Sequence, residues 1–126
     1  MLSRLAQKVY EILVSRQRAE QQRVLTYEEV SRQTGTAPIA LTWPLGEIFE
    51  ACDAHEPPLP ALTAIVVQKG SSWGDGRYGL PGDGYFKADA ESPNRRRRNR
   101  DANAKRQVER HQDDVWFYSG RWPRTL

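Results

Sequence analysis

Cysteine is nearly missing from this chain. Cys52 stands alone among 126 residues, so no disulfide can close within it. Histidine is almost as scarce, with only His55 and His111. Neither Cys52–Asp53–His55 nor His111–Asp113–Asp114 has a spacing that zinc uses. No Ser/His/Asp or Cys/His arrangement can be read either. No apolar run approaches the ~20 residues that a membrane-crossing helix needs. The opening stretch MLSRLAQKVYEILVSRQRAE is charged throughout, unlike a secretory signal. These absences set three expectations: no metal or cofactor, no membrane contact, and a cytoplasmic location.

What is present is charge, unevenly spread. The net charge is +3 and mean hydropathy is −0.76. Residues 94–110, NRRRRNRDANAKRQVER, hold eight basic and two acidic side chains, a local +6 that leaves −3 for everything else. A mildly acidic body with one strongly basic segment suits a polyanionic partner. The length fits one domain with one modest core.

Residues 2–20 pattern as an amphipathic helix, with Leu2, Leu5, Val9, Ile12 and Leu13 on one stripe and Arg4, Lys8, Glu11 and Arg18 opposite. The stripe is core, or alternatively a dimer seam. In VLTYEEVSRQTG, Thr26 is placed to cap a helix, with Glu29 completing a capping box and Leu25 and Val30 a hydrophobic staple. Gly35 ends that helix, giving a short one over Tyr27–Thr34. A third helix is expected over residues 43–54, with Leu41, Leu45, Ile48, Phe49 and Cys52 on one face. Pro44 either kinks it or lies in its first turn behind a Thr42 cap. Cys52 on that apolar face reads as an inert buried thiol. Pro57, Pro58 and Pro60 then hold the chain extended.

ALTAIVVQK (residues 61–69) is strand-like by its β-branched content, and GYFK (84–87) pairs with it as a return strand. Between them, residues 70–84 hold six of the nine glycines. Gly74, Gly76 and Gly79 fit G-x-G-x-x-G, but the fingerprint needs a helix directly after the third glycine, and LPGDG argues for a turn. There is no G-K-[ST] either. The loop therefore reads as a wing rather than a phosphate cradle. Trp73, Arg77, Tyr78 and Tyr85 are more informative than its glycines. They either reach a nucleic acid by stacking and groove contact, or Trp73 and Tyr78 fold back on the core. Residues 88–94 are loop-like. Residues 101–112 suit a helix capped by Asp101, and VWFYSGRW suits a short aromatic strand or terminal turn closing over the core. His55 and His111 read as surface or boundary residues.

Three helices, then a strand, a long turn and a strand, followed by a basic helix, is an α+β winged-helix-like layout. Residues 1–90 form that domain. Residues 91–126 add the basic segment, a helix and an aromatic strand on the same core. In such a fold the third helix commonly enters the major groove and the wing touches the backbone.

LTYEEVSRQTG, a helix, then the proline-led LPALTAIVVQKG resembles the winged-helix half of the DNA alkyltransferases and alkyltransferase-like proteins. Thr26, Tyr27 and Val30 match that family's TYG-x-[LIV]-A motif. Val66, Val67 and Gly70 match the tail of its P-C-H-R-V strand. The resemblance covers about residues 24–70. It implies a DNA-binding shape without alkyl transfer, because Ala61, Leu62, Thr63 and Ala64 stand where Cys-His-Arg would follow the prolines.

The expected function is therefore non-enzymatic binding of nucleic acid, duplex DNA first, as a bacterial or mobile-element regulator or accessory factor. Arg95, Arg96, Arg97, Arg98, Arg100, Lys105 and Arg106 would hold phosphates, which guanidinium binds bidentately. Arg77 and Tyr78 would approach a groove, and Arg32 with the third helix would add contacts. The rival is a protein-interaction module whose basic segment docks on an acidic partner protein. A nuclease or base-modifying enzyme using His111 with Asp113 or Asp114 comes third.

Overall fold

A computed structural model of the chain describes residues 1–92 and 103–126. The arginines at 95, 96, 97, 98 and 100 and the expected cap Asp101 lie outside these. Among the described residues the chain is α-rich, with five helices and a two-stranded parallel sheet, compatible with an α+β class.

Helix α1 (Arg4–Arg18) starts where the Ser3 hydroxyl accepts a bond from the Ala6 N–H and ends with Arg16 and Arg18 at the negative end of its dipole. Its buried residues are Ala6, Val9, Tyr10, Leu13 and Gln17. The stripe is thus rotated from the one expected: Val9 and Leu13 hold, but Leu5 and Ile12 are half-buried at its edge. Tyr10 takes an inner position because its hydroxyl reaches the Pro123 carbonyl at 2.5 Å.

Strand β1 (Leu25–Thr26) leads directly into α2 (Tyr27–Thr34). The expected capping box is formed, and Gly35 closes the helix with φ +72°, a conformation that glycine adopts without strain. A 3₁₀ turn, Pro38–Leu41, runs into α3 (Thr42–Ala54). The helix therefore starts without Thr42 as its cap: Leu41 occupies that place, with the turn already feeding helical geometry into it. Pro44 falls in the first turn, where its missing N–H costs nothing. Ile48, Phe49 and Cys52 are buried, which places the thiol in the core as expected.

The expected strand over 61–69 is largely another 3₁₀ turn, Leu62–Ile65, followed by the two-residue β2 (Val66–Val67). Every residue from 61 to 67 is buried, so the segment crosses the core and its β-branched side chains pack on all sides. β2 pairs in parallel with β1, in register Leu25 with Val66 and Thr26 with Val67. It does not pair with GYFK. That stretch lies in helix α4 (Asp83–Glu91), which also replaces the loop expected to begin at Ala88. Tertiary packing overrides the aromatic strand signal here: Tyr85 buries itself edge-on against Phe49 at 5.6 Å. A helix therefore does follow the glycine loop, four residues after Gly79, with Asp83 in its positively charged first turn.

Helix α5 (Ala104–Trp116) is shifted toward the C-terminus from the expected 101–112. Its Asn103 cap accepts from the Arg106 N–H at 3.1 Å. Val115 and Trp116 end this helix instead of starting a strand, and Trp122 closes over the core. The main core joins α1, Leu25, Val30, Ile48, Ile65 and Trp122. A smaller cluster holds Phe49, Ala61, Ala64 and Tyr85.

Candidate nucleic-acid interface

The glycine loop is tied to the body. Gly70, Gly74 and Gly76 have positive φ, which lets the chain double back without Cβ strain. The Trp73 N–H donates to the Tyr78 carbonyl at 3.0 Å, an antiparallel bridge that is the hairpin's one rung. The Gly76 carbonyl accepts from the Val24 N–H at 2.9 Å, fixing the tip beside β1. At the loop's far end, Gln112 donates to the Gly79 and Ala64 carbonyls at 2.9 and 2.8 Å, and its Oε1 accepts from the Gly79 N–H. The Trp116 indole N–H donates to the Arg77 carbonyl at 2.7 Å.

These anchors lay the loop along α5 and stack its side chains. The Trp73 and Tyr78 rings are nearly parallel, 6.1 Å apart and inclined by 18°. Lys105 Nζ sits 4.6 Å from the Trp73 ring centroid, and the Arg77 guanidinium 5.9 Å from that of Tyr78. Both lie within the reach of cation–π attraction. Tyr78 donates to Asp113 at 2.7 Å, and that bond to a carboxylate raises its pKa, with burial adding to it. Exposed Asp75 caps its own turn and holds Arg77 at 3.0 Å. The pairing lowers the carboxyl pKa and raises that of the guanidinium, so both stay charged. Trp73 and Tyr78 thus fold back, onto α5 rather than onto the apolar core.

Of the expected contact residues, Arg77, Tyr78 and Lys105 come together around this stack. Arg106 is exposed on the first turn of α5. Arg32 is exposed in the last turn of α2, and no contact among the described residues joins it to the stack. The arginines at 95, 96, 97, 98 and 100 lie outside the described residues. One cation was not anticipated: Arg23, whose Nε lies 3.1 Å from where a Cβ on Gly76 would sit. No local pattern marks it, since the loop reaches it only through tertiary folding.

The third helix is poorly suited to a phosphate backbone. α3 carries Glu47, Glu50 and Asp53 and no lysine or arginine. Its exposed apolar residue is Trp43, 78% accessible, one turn after Ile39 at 87%.

His111 is not a surface residue. It is buried, with Nδ1 2.5 Å from the Tyr85 hydroxyl. Two residues span about 200° around a helix, so His111 and Asp113 point to opposite sides of α5, one to Tyr85 and the other to Tyr78. They share no reacting point. His55 Nδ1 lies 2.9 Å from the Pro57 carbonyl near the surface. Among the described residues no cluster of His, Cys, Asp and Glu could hold a metal ion, and no helix is long and apolar enough to cross a membrane.

No protein-family model, curated protein or solved structure matches the chain.

Proposed function

We propose that this protein is a non-enzymatic nucleic-acid-binding protein of winged-helix-like design, with duplex DNA as its first ligand. In this reading α1, α2 and α3 are the helical half and the glycine loop stands in the wing's place. The observation that carries it is the gathering of Arg77 and Lys105 around the Trp73–Tyr78 stack, against the helix that follows the arginine-rich segment in sequence, with Arg23 beside the loop tip at Gly76. α3 bears three carboxylates and no lysine or arginine, so in this reading the docking element is the first half of α5 with the loop. Cations set over aromatic rings are preordered for phosphate, and the rings offer a face to a base or sugar. A regulator or accessory factor of a bacterial or mobile element fits this reading.

The test is fluorescence anisotropy on a labelled duplex between about 50 and about 200 mM salt. Each phosphate contact removed flattens the logarithmic salt slope by about 0.9. Lys105→Ala should therefore lower it by about one such step. Joint alanine replacement of Arg95, Arg96, Arg97 and Arg98 should lower it by about 3.6. Unchanged affinity and slope in both variants at low salt would end this reading.

A second reading has its own support. Trp43 and Ile39 are exposed beside an acidic helix, which favours a protein-interaction module with the basic segment docked on an acidic partner. A protein partner retained after nuclease treatment, and lost in the arginine variant, would decide for it.

A further inference from the structure

Between α3 and α4 lies a cavity of about 360 Å³, at the lower end of the ~300–1,000 Å³ usual for small-ligand sites. None of its lining residues belongs to the stack described above. Tyr27, Leu45, Phe49 and Tyr85 supply an apolar, largely aromatic wall. Three glycines line it, Gly46 on α3, Gly82 at the cap of α4 and Gly84 within α4, and a Cβ on Gly46 would meet nothing within 4 Å.

Two hydroxyls on this wall have hydrogen-bonding capacity left over. Thr63 is 5% exposed, and its Oγ1 has no hydrogen-bond partner among the described residues. A buried hydroxyl left unpaired is costly, and Thr63 is one of the residues that line the cavity. Tyr27 accepts the Gly82 N–H at 2.7 Å. Burial raises its pKa, so it keeps a proton, and no described residue accepts it. Asp83, Glu91 and Lys87 border the same space, giving it a net negative rim.

We propose that this cavity is a binding site for an uncharged, ring-sized organic molecule carrying a carbonyl oxygen, which accepts a hydrogen bond from Thr63. The aromatic wall takes the ring, the hydroxyl donors take the oxygen, and the acidic rim turns away carboxylates and phosphates. The site is separate from nucleic-acid binding and stands whether or not that reading holds.

The test titrates the full chain with acetophenone, ethylbenzene and benzoate and follows amide NMR resonances. Acetophenone should saturably shift Gly46, Phe49, Thr63 and Gly84 and give ring contacts to Phe49 and Tyr85. Gly46→Leu puts a side chain into the open space and a better helix former into α3, so it should fold and lose the binding. Thr63→Val keeps the shape and removes the donor. It should weaken acetophenone roughly threefold to tenfold and leave ethylbenzene unweakened. The proposal is overturned if acetophenone gives no saturable shift at these residues. It is equally overturned if Thr63→Val weakens both neutral probes alike, or if benzoate binds tightest. If Gly46→Leu does not fold, the ring contacts to Phe49 and Tyr85 in the unaltered protein decide the location.

Discussion

Gln112→Leu is the substitution by which the proposed architecture stands most exposed to test. Gln112 is fully buried and joins three parts of the chain: α5, the Leu62–Ile65 turn through the Ala64 carbonyl, and the glycine loop through both backbone groups of Gly79. Leucine keeps the volume but leaves two buried carbonyls and one N–H unpaired. Each unsatisfied buried group costs roughly 1–3 kcal/mol, and the Gly79 N–H contact, at 3.4 Å, is the weakest of the three. Taking about 1.5 kcal/mol for each carbonyl and half that for the N–H gives a loss of about 4 kcal/mol. The apolar side chain returns about 1.5 kcal/mol. The net is about 2–3 kcal/mol, which for a chain of this size lowers Tm by roughly 6–10 °C. Urea unfolding should show a lower midpoint with an unchanged slope. The amide of Gly79 should exchange faster, because its loop is released from α5. A midpoint equal to or above that of the unaltered protein would refute the claim that this glutamine holds loop and helix together.

Three further outcomes follow from single contacts. In Gly79→Ala the new Cβ would lie 2.9 Å from both γ carbons of Val67; overpacking of this kind costs about 1–3 kcal/mol in urea unfolding, and Val67→Ala in the same chain should recover part of it. Thr26→Ala removes the oxygen that receives the Glu29 N–H at 3.1 Å and should cost about 1 kcal/mol, read as a shifted thermal midpoint. Burial first, then the nearby Cys52, push the Tyr10 pKa up to about 12. The folded state thus holds the phenol proton more tightly than the unfolded one, whose value is 10.0. This contribution to stability is complete below that pH and is lost as pH rises toward about 12. Urea midpoints compared at about pH 9 and about pH 11 should fall, and fall less in Tyr10→Phe.

Local rules were legible wherever the chemistry is local. The Thr26–Glu29 capping box, the Gly35 stop and the proline exit from α3 all depend on residues within one or two turns, and each forms as read. The strand expectations failed where burial outweighs propensity. Ile65, Val66 and Val67 look like a strand because β-branched residues favour one, but a segment buried on every side has no alternating face to set a register. GYFK failed for a related reason. Tyr85 and Asp89 are one helical turn apart and both buried, a spacing that favours α4, whereas the aromatic pair Tyr85–Phe86 favours a strand only when counted by type.

The site was half legible. Lysine and arginine clustering pointed to α5 from composition alone, and the aromatics of the glycine loop were singled out for their chemistry. What sequence cannot give is which element the loop lies against. That depends on Gln112, a polar residue at the apolar spacing Val108, His111, Gln112, Val115. A buried amide in such a stripe must find partners, and here they are the backbone of the loop. The stripe marks Gln112 as a buried amide in need of partners, and only the tertiary fold identifies them as Gly79 and Ala64. The consequence reaches the electrostatics: the docked loop places Arg77 and Lys105 on one stack of rings, while α3 keeps its three carboxylates. Helix order alone assigns recognition to α3. In the proposed reading charge favours the first half of α5 with the loop: α3 bears Glu47, Glu50 and Asp53 and no cation, whereas α5 gathers Lys105, Arg106 and Arg110 with Glu109 ahead of Asp113 and Asp114, so phosphate is drawn to its N-terminal half.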